Sequence, residues 1–156
     1  MELRCAEISD FSKINELYEQ LDKEHRVVHL ERFQEPKVYG RTTEYKMDLI
    51  TNPDSQLIVA ISNLEIAGFI EGRIMQSPDF PVLRERKWLQ VNSLVVNENH
   101  RCKGIGQALF DCLVKWSNSK GIESIELNVY SFNEAAIAFY RKNGLNEIIK
   151  TMSNSL

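Results

Sequence analysis

The stretch with the strongest chemical character runs Leu94-Val95-Val96-Asn97-Glu98-Asn99-His100-Arg101-Cys102-Lys103-Gly104-Ile105-Gly106-Gln107-Ala108-Leu109. A β-branched strand passes through a polar turn and reaches two closely spaced glycines where a long amphipathic helix begins. The first turn of a helix carries backbone N–H groups with no partner inside the helix, and its aligned peptide dipoles make that end positive. Glycine there removes the side chains that would hold an anion away from the backbone. The chemistry that fits is the binding of a phosphate or diphosphate, with Arg101 and Lys103 adding positive charge. Two nucleotide loops do not fit. No Gly-Lys follows at the distance that GxxxxGK[ST] needs, and Leu109 stands where GxGxxG needs its third glycine. The glycines also have a plainer reading, as the residues that let a strand turn tightly into a helix.

Those groups need elements to position them. Leu3 to Ile8 is a strand, and Ser9-Asp10 offers an N-cap to a helix with apolar positions Phe11, Ile14, Leu17, Tyr18 and Leu21. Residues 22–41 read as a polar loop, and Thr43 to Ile50 as a weaker helix that stops before Pro53. Gln56 to Ser62 and Leu64 to Met75 form a hairpin about Asn63. An exposed loop with Pro78 and Pro81 leads to a strand from Trp88 to Val96. Gly104 to Lys120 repeats apolar residues at three- and four-residue spacing (Ile105, Ala108, Leu109, Cys112, Leu113, Trp116), and Gly121 closes it. Glu123 to Tyr130 alternates as a strand, Asn133 to Asn143 is a helix closed by Gly144, and Asn146 to Met152 is a final strand. The order β-α-α-β-β-β-α-β-α-β predicts an α/β fold: one mixed sheet with helices on both faces, in a single domain over 1–156.

Composition narrows the function classes. The chain has 156 residues, 43% hydrophobic and 26% charged, an ordinary globular balance for one core. Its net charge of −3 lacks the positive field that nucleic-acid binding asks for. No apolar run approaches the ~20 residues of a membrane span. The N-terminus is charged from its second residue and lacks a signal-peptide apolar region, so a cytoplasmic location is expected. Cys5, Cys102 and Cys112 show no CxxC spacing and suit a reducing compartment.

Arg101-x-x-Gly104-x-Gly106, at the end of a strand and the start of a helix, resembles the [QR]-x-x-G-x-[GA] signature of the GNAT superfamily of N-acetyltransferases. Leu127 to Leu145 looks like that superfamily's second motif: a strand, Asn133, a helix with Ala-Ile-Ala-Phe-Tyr ending at Tyr140, then Gly144. The opening Leu3-Arg4-x-Ala6-x-x-x-Asp10-Phe11 is similar to many members, so the resemblance spans nearly the whole chain. It implies acetyl-CoA as cosubstrate, with no metal. Leu94, Val95 and Val96 would lend backbone groups to the pantetheine arm. Cys102, Lys103, Gly104, Ile105, Gly106 and Gln107 would wrap the diphosphate, with Arg101 at the motif's first position. Asn133 would contact the cofactor's arm and Tyr140 would be the general acid to the departing thiolate. Bottom-up, Asn133 is also an N-cap and Tyr140 also a core aromatic beside Phe139.

The sequence departs from the family where members carry a general base. The position five residues before the motif asparagine is Asn128, and the one eleven before the motif's first residue is Gln90. Glu126 and Glu71 are candidate bases, each also explained as a residue of a solvated strand edge. Leu145 replaces a usual Phe, and the short tail implies a last hairpin reduced to one strand or completed by a partner chain in a homodimer. His25 and His29, at i and i+4, have helical metal-ligand spacing but no carboxylate motif beside them. Trp88, Phe80 and Tyr39 are candidates for an acceptor cleft or for plain core. The acceptor expected is a small-molecule or peptide amine, set by loops 22–42 and 77–87. A non-catalytic acyl-CoA-binding module on the same fold is the rival reading.

Overall fold

The computed structural model describes residues 1–154; residues 155 and 156, the last two of the expected domain, lie outside the described residues. In chain order come β1 (Glu2–Cys5), α1 (Phe11–Val28), α2 (Thr43–Thr51), β2 (Ser55–Ser62), β3 (Glu65–Gln76), β4 (Lys87–Val96), α3 (Ile105–Ser119), β5 (Ile125–Leu127) and α4 (Glu134–Lys142). The strands form one five-stranded sheet in the order β1-β2-β3-β4-β5, antiparallel except for the β4–β5 pair, which α3 connects as a parallel crossover. The β2–β3 hairpin turns on Asn63 and Leu64, both left-handed at φ 53° and 65°. Two consecutive positive φ values match the right-handed twist of the strands.

Helices cover both faces of the sheet. On one face α3 buries Ile105, Leu109, Phe110 and Leu113 against Ile58, Ile70, Leu89 and Val91, with Phe139 and Tyr140 of α4 at its margin. On the other, α1 and α2 bury Ile14, Leu17, Tyr18 and Leu49 against Leu57, Val59, Phe69 and Val95. Gly72 of β3 lets α3 lie this close, and Gly68 makes room for the β4 backbone. A Cβ on Gly72 would stand 2.9 Å from Leu89 Cδ1 and 3.0 Å from both the Gln90 carbonyl and Leu113 Cδ2. One on Gly68 would meet the Val95 carbonyl at 2.6 Å.

Three expectations need correction. Residues 22–28 are not loop: α1 runs on to Val28. Partners outside the helix hold this last stretch: Arg41 pairs with Asp22 at 2.6 Å, Glu35 with Arg26 at 3.2 Å, and His25 and His29 pack on Tyr130 and Phe132, with Phe33 also against His25. Helix formation follows such packing more than local propensity. The strand expected over 123–130 keeps only Ile125–Leu127, and 146–152 forms no strand. A strand needs a neighbour to pair with. Here Ile148 and Ile149 stay 72% and 80% exposed.

Gly72→Ala should destabilise the fold by about 1–3 kcal/mol, because the added methyl overpacks the α3 seam against backbone as well as side chains. Urea unfolding of the two proteins measures it, and a loss below ~0.5 kcal/mol would show that α3 docks more loosely than described.

Candidate functional site

The site begins with a defect in the sheet. Glu71 pairs with Ser93 but Gly72 pairs with Val91, so Asn92 is an extra residue in β4. Such a bulge bends the strand and increases its twist. Up to the bulge β4 is paired to β5, Leu89–Val91 against Ile125–Leu127. Past it, Ser93–Val96 have no strand beside them on that side among the described residues. Which backbone groups this opens follows from Asn97, whose N–H donates to the Ala67 carbonyl on β3 at 2.8 Å. By alternation Val95 also turns its backbone to β3, while Leu94 and Val96 turn theirs to the open side. Of the three strand residues singled out for their backbone groups, Leu94 and Val96 therefore face the open side. Val95 instead buries its side chain, at 4% exposure, under α1.

From β4 the chain enters a 3-10 turn over Glu98–His100, capped by the Asn97 side chain, which accepts from the Asn99 N–H at 3.0 Å. Cys102 follows in the left-handed region at φ 61° and Gly104 at φ 79°. Gly104 is the N-cap of α3 and has no side chain to satisfy the N–H groups of the first turn. A Cβ on Gly104 would meet nothing within 4 Å, and one on Gly106 only Val96 Cγ2 at 3.6 Å. Backbone conformation therefore explains the glycine at 104, but neither conformation nor crowding inside the protein requires one at 106. The Nδ1 of His100, in the turn before the loop, is a buried polar atom with no hydrogen-bond partner among the described residues. Lys103 is exposed and donates to the Asn99 carbonyl at 3.0 Å, and the Cys102 thiol is exposed. Ile105 is core. Gln107 turns its amide away to Asn143, 2.7 and 3.2 Å, tying α3 to α4. Only its backbone, in the first turn of α3, faces the same end as the loop.

Beside this loop lies a cleft of about 810 Å³ between the C-terminal half of α1, the turn after β4 and the entry to α4. Gln20, Lys23, Glu24, Arg101, Phe132 and Asn133 are among the residues that line it. Arg101 belongs to both cleft and loop: its Nε donates to the Val96 carbonyl at 3.2 Å and a terminal nitrogen donates to Glu24 at 2.7 Å. Asn133 caps α4, its Oδ1 accepting from the Ala136 N–H at 3.0 Å. That leaves its amide nitrogen for the cleft. The structure thus brings Leu94, Val96, Arg101, the glycines and Asn133 to one region.

Tyr140 sits on α4 with its ring against Phe139 and Phe110, centroids 5.2 and 6.0 Å away. Burial pushes its phenol up to about 12, and its hydroxyl makes no hydrogen bond among the described residues. The carboxylates considered as bases are occupied. Glu71 is not a solvated strand residue: it is 1% exposed and accepts the hydroxyls of Tyr18 and Tyr45, each at 2.8 Å. Burial first, and then the neighbouring Glu71, hold both phenols above their usual range. Glu126 pairs with Arg86 at 2.5 Å, and Gln90 accepts from the Trp88 indole at 3.1 Å. Trp88 lies under the Arg86 guanidinium, Phe80 is 61% exposed, and Tyr39 donates to Glu35. None of these three lines the cleft. His25 and His29 give their Nδ1 atoms to the Leu21 carbonyl and to Glu31 rather than meeting over a common point. Sequence reading missed both the bulge and the burial of Glu71. The bulge had a signal: apolar residues alternate through Leu89 and Val91, then resume one place out of step at Leu94 and Val96.

Comparison with known proteins adds to this geometry. The profile of the acetyltransferase (GNAT) family matches residues 14–145, which include the strand, the glycine loop, Asn133 and Tyr140. L-ornithine N5-acetyltransferase NATA1 of Arabidopsis thaliana is 26% identical over 103 residues, which are 64% of this chain and 43% of that protein. The chain thus spans less than half the length of that curated relative. The crystal structure of a tetramutant of the BH1408 protein from Bacillus halodurans superposes with a TM-score of 0.93 at 25% identity, covering 100% of both chains. Glucosamine-6-phosphate N-acetyltransferase from Arabidopsis thaliana shares the fold at a TM-score of 0.71 and 21% identity, covering 99% of this chain and 97% of the other. With its glycine loop, opened strand and second motif all inside the matched region, the chain belongs to the GNAT acetyltransferase family.

Proposed function

We propose that this chain is a single N-acetyltransferase domain that moves the acetyl group of acetyl-CoA to a primary amine by direct attack. The observation that carries the reading is the open approach to α3: a helix start with no side-chain cap, at the end of a strand paired on one side only, where a Cβ on Gly104 or Gly106 would meet open space or ordinary contact. The residues fit a ligand that is anionic at one end and amide-bearing at the other. The backbone from Cys102 to Gln107 would hold the diphosphate, with Arg101 beside it. The backbone groups of Leu94 and Val96 and the Asn133 amide would hold the pantetheine arm. Bound there, the cosubstrate supplies an acetyl thioester. A cytoplasmic setting belongs to the same reading and rests on three free cysteines, two of them exposed.

The protein's own chemistry would be modest. Tyr140 is the general acid: its hydroxyl keeps a proton at Oη throughout the neutral range, because burial holds its pKa near 12. The same dry surroundings raise the basicity of a thiolate leaving beside it, which keeps proton transfer within reach despite the weak acid. Glu71 and Glu126 are both occupied and Gln90 is an amide rather than a base, so the attacking amine arrives already neutral. That same lack favours a second reading, an acyl-CoA-binding module without turnover. Release of free CoA in the presence of a panel of amines separates the two.

Gly106→Val should stay folded, its nearest neighbour being an ordinary contact, yet lose CoA binding by calorimetry because the side chain fills the anion's approach. Unchanged affinity would remove the loop from the binding site. Tyr140→Phe should lose about 10²- to 10⁴-fold in turnover with CoA affinity and stability nearly unchanged, since the hydroxyl makes no internal hydrogen bond. Normal turnover would return Tyr140 to packing alone. Rate should rise with pH along the ionisation of whichever acceptor is used. No alkaline fall from Tyr140 is expected below its own pKa of about 12. An acidic limb fixed near neutrality across acceptors of different basicity would reveal an enzyme base.

A further inference from the structure

We infer that Glu24, on the C-terminal half of α1, sets the affinity of the diphosphate loop by competing for Arg101. This rests on the acetyl-CoA reading above. The Arg101 guanidinium is held at two points that belong to different elements. Its Nε is anchored on the Val96 carbonyl at 3.2 Å, at the end of the strand that feeds the loop. Its terminal nitrogen is held by Glu24 Oε1 at 2.7 Å, across the cleft on α1. A second contact runs along the same seam: Gln20 Oε1 accepts from the Glu98 N–H at 3.3 Å. The α1 helix therefore straps the turn that leads into the loop, and both side chains of the ion pair line the cleft.

The division of labour on one guanidinium gives the pair its consequence. With Nε kept on Val96, the outward nitrogens can pass from Glu24 to an arriving phosphate without the side chain leaving its anchor. A diphosphate offers more charge than a carboxylate and matches the planar fork of the guanidinium, so it takes the nitrogens over. Glu24 must let go, and the strength of its hold is subtracted from binding. The two side chains are 48% and 45% exposed, and an ion pair so solvated is weak. The penalty is accordingly a few-fold one, a setting of affinity rather than a block. Glu24 is a positioning residue: it acts through Arg101 and touches no reacting atom.

The test titrates CoA, and in parallel pantetheine, which lacks the phosphates, into wild type, Glu24→Gln, Arg101→Gln and the double variant, following amide chemical shifts. Glu24→Gln should bind CoA about two- to fivefold more tightly. It should bind pantetheine no better than wild type, and its gain should vanish in the Arg101→Gln background. An unchanged CoA affinity in Glu24→Gln, an equal gain for pantetheine, or a gain that survives without Arg101 would each overturn the inference while leaving the acetyl-CoA reading standing. Wild type that binds no CoA at all would overturn that reading, and the role of Glu24 with it.

Discussion

Asn92 is the residue that β4 carries beyond what β3 can pair, and the rest of the architecture is arranged around that surplus. Before it, β4 is an interior strand with partners on both sides. After it, the strand keeps β3 and parts from β5. The change also moves the apolar set of β4 from Leu89 and Val91 to Leu94 and Val96 without changing the face that meets α3. One inserted residue thus does two things that an uninterrupted strand cannot. It keeps the core continuous and it frees a short row of backbone groups next to a helix start.

The helix start has to be aimed as well as exposed. Gly72 lets α3 sink onto the sheet, and the Gln107–Asn143 amide pair ties its first turns to α4. The loop between strand and helix is then forced through left-handed conformations at Cys102 and Gly104. Only glycine takes these without penalty; a residue with a Cβ gives up about 1–2 kcal/mol there. Local electrostatics run against the whole-protein charge. A chain of net charge −3 still presents uncapped N–H groups, Arg101 and Lys103 at one place. A charge count over the molecule says little about a site only a few residues wide.

Much of this was legible from residue patterns. Helical periodicity located α3 and α4 to within a residue or two, and the spacing of Arg101, Gly104 and Gly106 located the loop, because both signals are local. What escaped was set by contacts distant in sequence. The last turns of α1 stand because Asp22, Arg26, His25 and His29 meet partners outside the helix, and no local preference announces them. The strand pattern of 146–152 is real, but a pattern cannot supply a neighbour. Glu71 reads as solvated from the sequence, because a carboxylate on a strand usually is. Its two phenol partners, Tyr18 and Tyr45, lie 53 and 26 residues away.

That buried carboxyl group has a consequence for how the chain finds a single fold. Along β3 the residues alternate between the two cores, with Phe69 and Glu71 toward α1 and α2, and Ile70 and Gly72 toward α3. Most of the strand is apolar on both faces, so hydrophobicity alone distinguishes poorly between the native alignment and one shifted by a single residue. Glu71 removes the ambiguity. A slip of one place would carry its two oxygens into the company of Leu89 and Leu113, leave two phenol hydroxyls without acceptors, and push a side chain into the space that Gly72 keeps clear. Buried polar groups left without partners are expensive enough to reject that alternative. The Tyr18–Glu71–Tyr45 bridge thus acts as a registration mark, and the slipped sheet is excluded at the one point where its packing would otherwise pass.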